Sequence, residues 1–190
     1  MNQSSKRQEQ RTQTNRDRQS NHPGDNHQLQ QADIYQQIVA TIQGLKTSEG
    51  KEGTLKDYPI RDLVKHAQEF GPYLKNQRLE TNQIRKFLDA INQLKARLAQ
   101  DEGENERIKQ IKDDQEKEEL RKKLKFEKIE ADVVLLKPKL AYAAARQNAV
   151  KSLSKVMSAA IDKVHSKEDF ERLVQLIESI IAYHKAEGGK

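Results

Sequence analysis

An all-α bundle of about five to six helices is the fold this chain predicts, and three observations carry that prediction. Beyond residue 33, apolar residues recur at three- and four-residue spacing, the period of a helix with one buried face. The residues between them, above all Gln, Lys and Glu, favour helices, whereas aromatic residues make up 5% of the chain and Trp is absent. Only four prolines interrupt 190 residues. Cys is also absent, which excludes disulfides, thiolate nucleophiles and Cys-based zinc sites and leaves apolar burial to stabilise the fold.

Residues 1–32 hold eight Gln, five Lys or Arg and no aromatic residue, with Met1 and Leu29 as the only sizeable aliphatic side chains. Such a segment cannot bury enough apolar area to offset chain entropy, so a disordered polar tail is expected ahead of a helical domain at 33–190. His22 and His27 flank Pro23-Gly24-Asp25, but two histidines in a polar run read as solvated side chains, and no metal or cofactor is expected. No apolar run suits a membrane span or a secretory signal, so the expected location is the cytoplasm.

The first helix is predicted from Asp33 as its start signal, with Ile34, Ile38, Ile42 and Leu45 on one face, and the Gly44 and Gly50/Gly53 region stops it. The second carries Ile60, Leu63, Val64, Ala67 and Phe70, with Asp57 as cap and Pro59 in the tolerated first turn, and is expected to break at Gly71-Pro72. Thr81 is expected to cap a third helix striped by Ile84, Phe87, Leu88, Ile91, Leu94 and Leu98, with Arg85, Lys86 and Gln93 pointing away.

Residues 101–130 hold eleven acids and nine bases around a thin apolar pattern at Ile108, Ile111, Leu120, Leu124 and Phe126. Opposite charges three and four residues apart support an exposed helix, so a long charged helix projecting from the body is expected. A further single helix is predicted from Pro138 to Val164, with Tyr142, Ala149, Val150, Leu153, Val156, Met157, Ala160 and Ile161 on one broad face. Lys137, Lys151 and Lys155 fall roughly opposite, while Lys139 and Arg146 lie in phase with the apolar residues, where a charge must be paired, reach the rim or meet a ligand. The last helix opens with Ser166 three residues before Asp169, runs through Phe170, Leu173, Val174, Ile177, Ile180 and Ile181, and ends at Gly188-Gly189. His184 shares its apolar face and reads as a packed, hydrogen-bonded histidine.

Charge is segregated as well. Lys137 to Lys163 contains six Lys or Arg against one acid, Asp162. Within a net charge of +6 and a pI near 9.3, that local excess points to a polyanionic partner, RNA foremost. Enzyme chemistry is not indicated: the five His are scattered, no Gly-rich phosphate loop is present, and the acids of 101–130 alternate with bases.

Three blocks, Thr81-Asn82-Gln83-Ile84-Arg85-Lys86-Phe87, the run from Leu136 to Arg146, and Ile181-Ala182-Tyr183-His184-Lys185 followed by Gly188-Gly189, resemble in order the signature blocks of the small subunit of type III-A CRISPR effector (Csm) complexes. The long polar tail and the 101–130 segment are extensions relative to that family. The resemblance implies a non-catalytic helical subunit that stacks in several copies along backbone subunits and lines the groove holding guide RNA and its paired target RNA. It implies partners of several kinds: both RNAs, the backbone and other subunits, and further copies of the chain, with no membrane. Family blocks single out Arg85, Lys86, Lys137, Lys139 and Arg146 as RNA-contacting residues; Lys75 and Arg78, just before the first block, and Lys151 and Lys155 of the basic helix join them. The alternative is a purely structural helical adaptor whose charges serve solubility alone.

Overall fold

The computed structural model describes residues 34–100, 108 and 110–189. The expected tail at 1–32 with its two histidines, the start signal at Asp33 and the first part of the charged segment lie outside the described residues. Among the described residues seven α-helices follow in chain order: α1 (Ile34–Gln43), α2 (Ile60–Asn76), α3 (Thr81–Ala99), α4 (Asp114–Val134), α5 (Leu136–Arg146), α6 (Val150–Ile161) and α7 (Lys167–Ala186), with a 3-10 turn at Leu55–Asp57 before α2. Among the described residues no strand forms, and an isolated Lys46–Glu52 bridge closes the loop after α1. The all-α expectation holds.

The helix predicted from Pro138 to Val164 is two helices. Gln147 is extended, with φ −141° and ψ 111°, and the short turn it opens folds α6 back onto α5. Phase is therefore not carried from one to the other. Tyr142, expected on the apolar face, is 64% exposed.

The α2–α7 pair forms the centre. Their backbones touch at Gly71, where an added Cβ would lie 2.6 Å from the His184 backbone nitrogen and 2.7 Å from the Tyr183 Cβ. The expected break at Gly71-Pro72 does not occur. Pro72 forfeits one helical hydrogen bond, but Phe70, Tyr73 and Leu74 are buried around it and hold the helix on to Asn76. Two cap assignments change as well. Asp57 caps the 3-10 turn, its carboxylate accepting from the Thr54 N–H at 2.9 Å, and Pro59 occupies the N-cap of α2. Glu80 is the N-cap of α3, and Thr81 is its first, buried residue.

Around this centre α3 packs on α7, α4 on α3 and α7, and α6 on α1. The C-terminal half of the charged helix lies against the body: Phe126, Ile129 and Val133 are buried, and Arg97 of α3 donates to the Asp132 carboxylate and, at 3.2 Å, to the Lys128 carbonyl. Enough apolar residues recur at its C-terminal half to form a seam, which its charge count conceals. At the N-terminus of α7 the expected Ser166/Asp169 cap forms, and it reaches further than expected. Asp169, 1% exposed, accepts from the Lys56 N–H at 2.7 Å, the His165 N–H at 3.1 Å and the Ser166 hydroxyl at 2.9 Å, tying α7 to the 3-10 turn.

Candidate nucleic-acid interface

Between α3 and α5 runs an open groove of about 540 Å³. Its floor is apolar, formed by Phe87 of α3, Leu136 and Leu140 of α5, and Val150 and Leu153 of α6. Lys86 stands on one wall and Lys139 and Arg146 on the other, with Gln83 and Gln147 supplying amides. The local sequence explains the arrangement. On α3, Ile84, Phe87 and Ile91 turn inward, which leaves Lys86 on the flank that faces α5. On α5, Leu136, Leu140 and Ala144 are buried, so Lys139 and Arg146, seven residues apart, fall on the same flank, two turns distant. Their being in phase with apolar residues means a position at a rim.

The three groove cations are exposed and have no ion-pair partner among the described residues. Several cations elsewhere are engaged. Lys137, on the other flank of α5, bonds the Asp162 carboxylate at 2.5 Å, Lys163 reaches Glu52 at 2.7 Å, and Lys122 and Lys95 pair with Glu168 and Glu178. In this groove three unneutralised charges border an apolar cleft between two helices, and low-dielectric walls strengthen their field.

Arg146 also organises its neighbour. Its guanidinium lies over the Tyr142 ring, 5.5 Å from the centroid, and donates to the phenol oxygen at 2.8 Å. This cation–π pair holds an exposed aromatic ring on the groove rim. Sequence periodicity hid Tyr142 by assigning it to the core. The signal that could have found it is the four-residue step from Tyr142 to Arg146, the spacing of side chains that meet on a helix.

The remaining candidates are not brought together. Arg85 is exposed one residue from Lys86, about 100° around α3 and outside the groove lining. Lys75 and Arg78 sit at the end of α2, where Arg78 adopts φ 60° and completes a left-handed helix stop, with the Arg78 N–H bonded to the Lys75 carbonyl and the Leu79 N–H to the Leu74 carbonyl. Lys155 lies over the Tyr35 ring at 5.0 Å and fastens α6 to α1. Lys151 is exposed on α6. The expected cluster is therefore split by the break at Gln147: Lys137 stays on α5 beside Asp162, while Lys151 and Lys155 lie on α6.

The third family-like block builds structure. His184 is fully buried, and its Nε2 lies 2.9 Å from the Leu79 carbonyl, so Nε2–H donates and Nδ1 is left bare and without a partner. A Cβ added at Gly189 would fall 2.3 Å from that Nδ1, so only glycine fits against the ring. Burial pushes the His184 pKa down, opposed by the bond to Leu79. The histidine is packed and hydrogen-bonded, as its place on the apolar face suggested. Among the described residues no group of three His, Cys, Asp or Glu could hold a metal ion, and no helix is long and apolar enough to cross a membrane.

A family model described as Csm2 Type III-A matches residues 57–190, well over half of the chain. No curated protein and no solved structure matches significantly. The match begins at the end of the 3-10 turn and takes in both walls of the groove and the His184 block, leaving α1 outside it.

Proposed function

The chain belongs to the Csm2 family of type III-A and is thereby a subunit of a type III-A CRISPR effector complex, and from that premise we propose that it is a non-catalytic RNA-binding small subunit whose α3–α5 groove meets the backbone of the guide RNA and its target RNA. One observation carries the reading: Lys86, Lys139 and Arg146 converge on one groove with an apolar floor and have no carboxylate partners among the described residues, whereas Lys137 and Lys163 nearby are paired. An A-form duplex hides its base edges in a deep, narrow groove and offers phosphates and 2′-hydroxyls outward. Cations on rigid helices can grip those groups for any sequence, which suits a subunit that must accept every target.

Lys151, Arg85, Lys75 and Arg78 lie outside the groove and are secondary contacts in this reading; Lys137 and Lys155 serve the fold through Asp162 and Tyr35. The exposed Ile60 and Val64 on α2, and Val134 and Leu135 at the α4–α5 junction, are apolar surface suited to backbone subunits or further copies of the chain in a cytoplasmic ribonucleoprotein.

Binding assays with two RNA duplexes of unrelated sequence, run beside a nuclease assay with and without divalent metal, test the proposal. Lys86→Gln with Lys139→Gln should weaken both duplexes alike, and no RNA should be cut. Cleavage lost with any one side chain would overturn the non-catalytic reading; affinity unmoved by the double variant, alone and in the assembled complex, would leave a structural adaptor.

A further inference from the structure

Cations alone would serve a duplex backbone, yet the groove offers more than cations. Its floor is apolar, its volume lies in the range of clefts that hold one small ligand, and on its rim Arg146 holds a tyrosine ring that is 64% exposed. A paired strand turns its bases inward and has nothing to set on such surfaces. An unpaired base has an aromatic face, an apolar body and a polar edge. Gln83 and Gln147 line the same groove, and an amide both donates and accepts, so it tolerates any base edge. We infer that the α3–α5 groove seats one unpaired nucleotide of RNA, its base stacked on the Tyr142–Arg146 pair over the apolar floor and its flanking phosphates held by Lys86 and Lys139.

This inference rests on the proposal that the groove cations meet RNA, and it adds a ligand that phosphate contact does not require. The test uses the full chain and an RNA duplex carrying 2-aminopurine as a single-nucleotide bulge, against the same duplex with 2-aminopurine paired. Stacking on an aromatic side chain is worth enough that the bulged duplex should bind roughly fivefold or more tightly than the paired one, and its fluorescence should be quenched on binding. Tyr142→Ala, at an exposed position where folding is checked by circular dichroism, should collapse that ratio to near one and abolish the quench. Equal affinity for the two duplexes, or a quench that survives Tyr142→Ala, overturns the nucleotide seat; if Lys86→Gln/Lys139→Gln still weakens the paired duplex, the phosphate reading stands without it. Absence of RNA binding by the chain and by its complex overturns both. Tyr142→Ala that spares the ratio but blocks association with the other subunits assigns the groove to protein and also overturns the seat.

Discussion

His184 uses its two ring nitrogens differently, and the difference sets a pH dependence. Nε2–H is committed to the Leu79 carbonyl, whereas Nδ1 faces Gly189 with no partner, so a second proton would create a buried, unpaired charge. Burial lowers the pKa from its ordinary value of 6.5, and it does the same for His66, which shares a hydrogen bond with the Tyr58 phenol. In the unfolded chain both histidines regain that ordinary value. As pH falls through it, the unfolded state takes up protons that the native state refuses, and stability is lost. Urea melts at pH 7.5 and pH 5.5 should therefore give the lower stability at pH 5.5, and His184→Gln should flatten the dependence. Equal or greater stability at pH 5.5 would contradict the buried neutral imidazole. The packed state of His184 was legible from its place on an apolar stripe. Its partner was not, because Leu79 lies 105 positions away and a backbone carbonyl leaves no mark in side-chain patterning.

Helices are where the sequence was most readable, since a 3.6-residue period records burial directly. The stripes of α1, α3, α6 and α7 match their buried faces, with Leu88 and Ile181 half-buried at the edges. Leu153→Ala in α6 and Ile177→Ala in α7 should each cost about 2 to 5 kcal/mol in chemical denaturation; parent-like melting of both would mean the phases are wrong. Errors arose where a local signal competed with packing. Gly71-Pro72 is a strong local stop, overruled by Tyr73 and Leu74 burying beyond it. The turn at Gln147 had no Gly or Pro to announce it, and the phase error it caused put Tyr142 in the core. Gly71 makes the competition measurable. Helix propensity alone favours Ala over Gly by about 1 kcal/mol, but the new Cβ would meet the His184 and Tyr183 backbones below 3 Å, and overpacking costs about 1 to 3 kcal/mol. Gly71→Ala should destabilise the protein in thermal melts. A stabilised variant would show that α2 and α7 do not cross this closely.

At the scale of the whole molecule, function rests on what the fold brings together from distant segments. Lys86 and Lys139 are more than fifty residues apart in sequence, and only the packing of α3 beside α5 puts them on one groove. Both were legible as candidates from family-like blocks and local charge. That they join Arg146, while Lys137 turns to Asp162 and Lys155 to Tyr35, was not, because partner choice depends on which flank each helix presents.

The salt dependence of RNA binding isolates that grouping, since each phosphate contact releases counterions and steepens the slope of log affinity against log salt. Lys86→Gln, Lys139→Gln and Arg146→Gln combined should flatten the slope for duplex RNA by about 0.9 per lost contact, the double-strand value. Lys122→Gln, Lys125→Gln and Lys128→Gln in α4, whose side chains already engage partners within the chain, should leave it nearly unchanged. A slope flattened by the α4 set as much as by the groove set, or by neither, with both variants folded, would contradict the assignment of the α3–α5 groove as the RNA-facing surface.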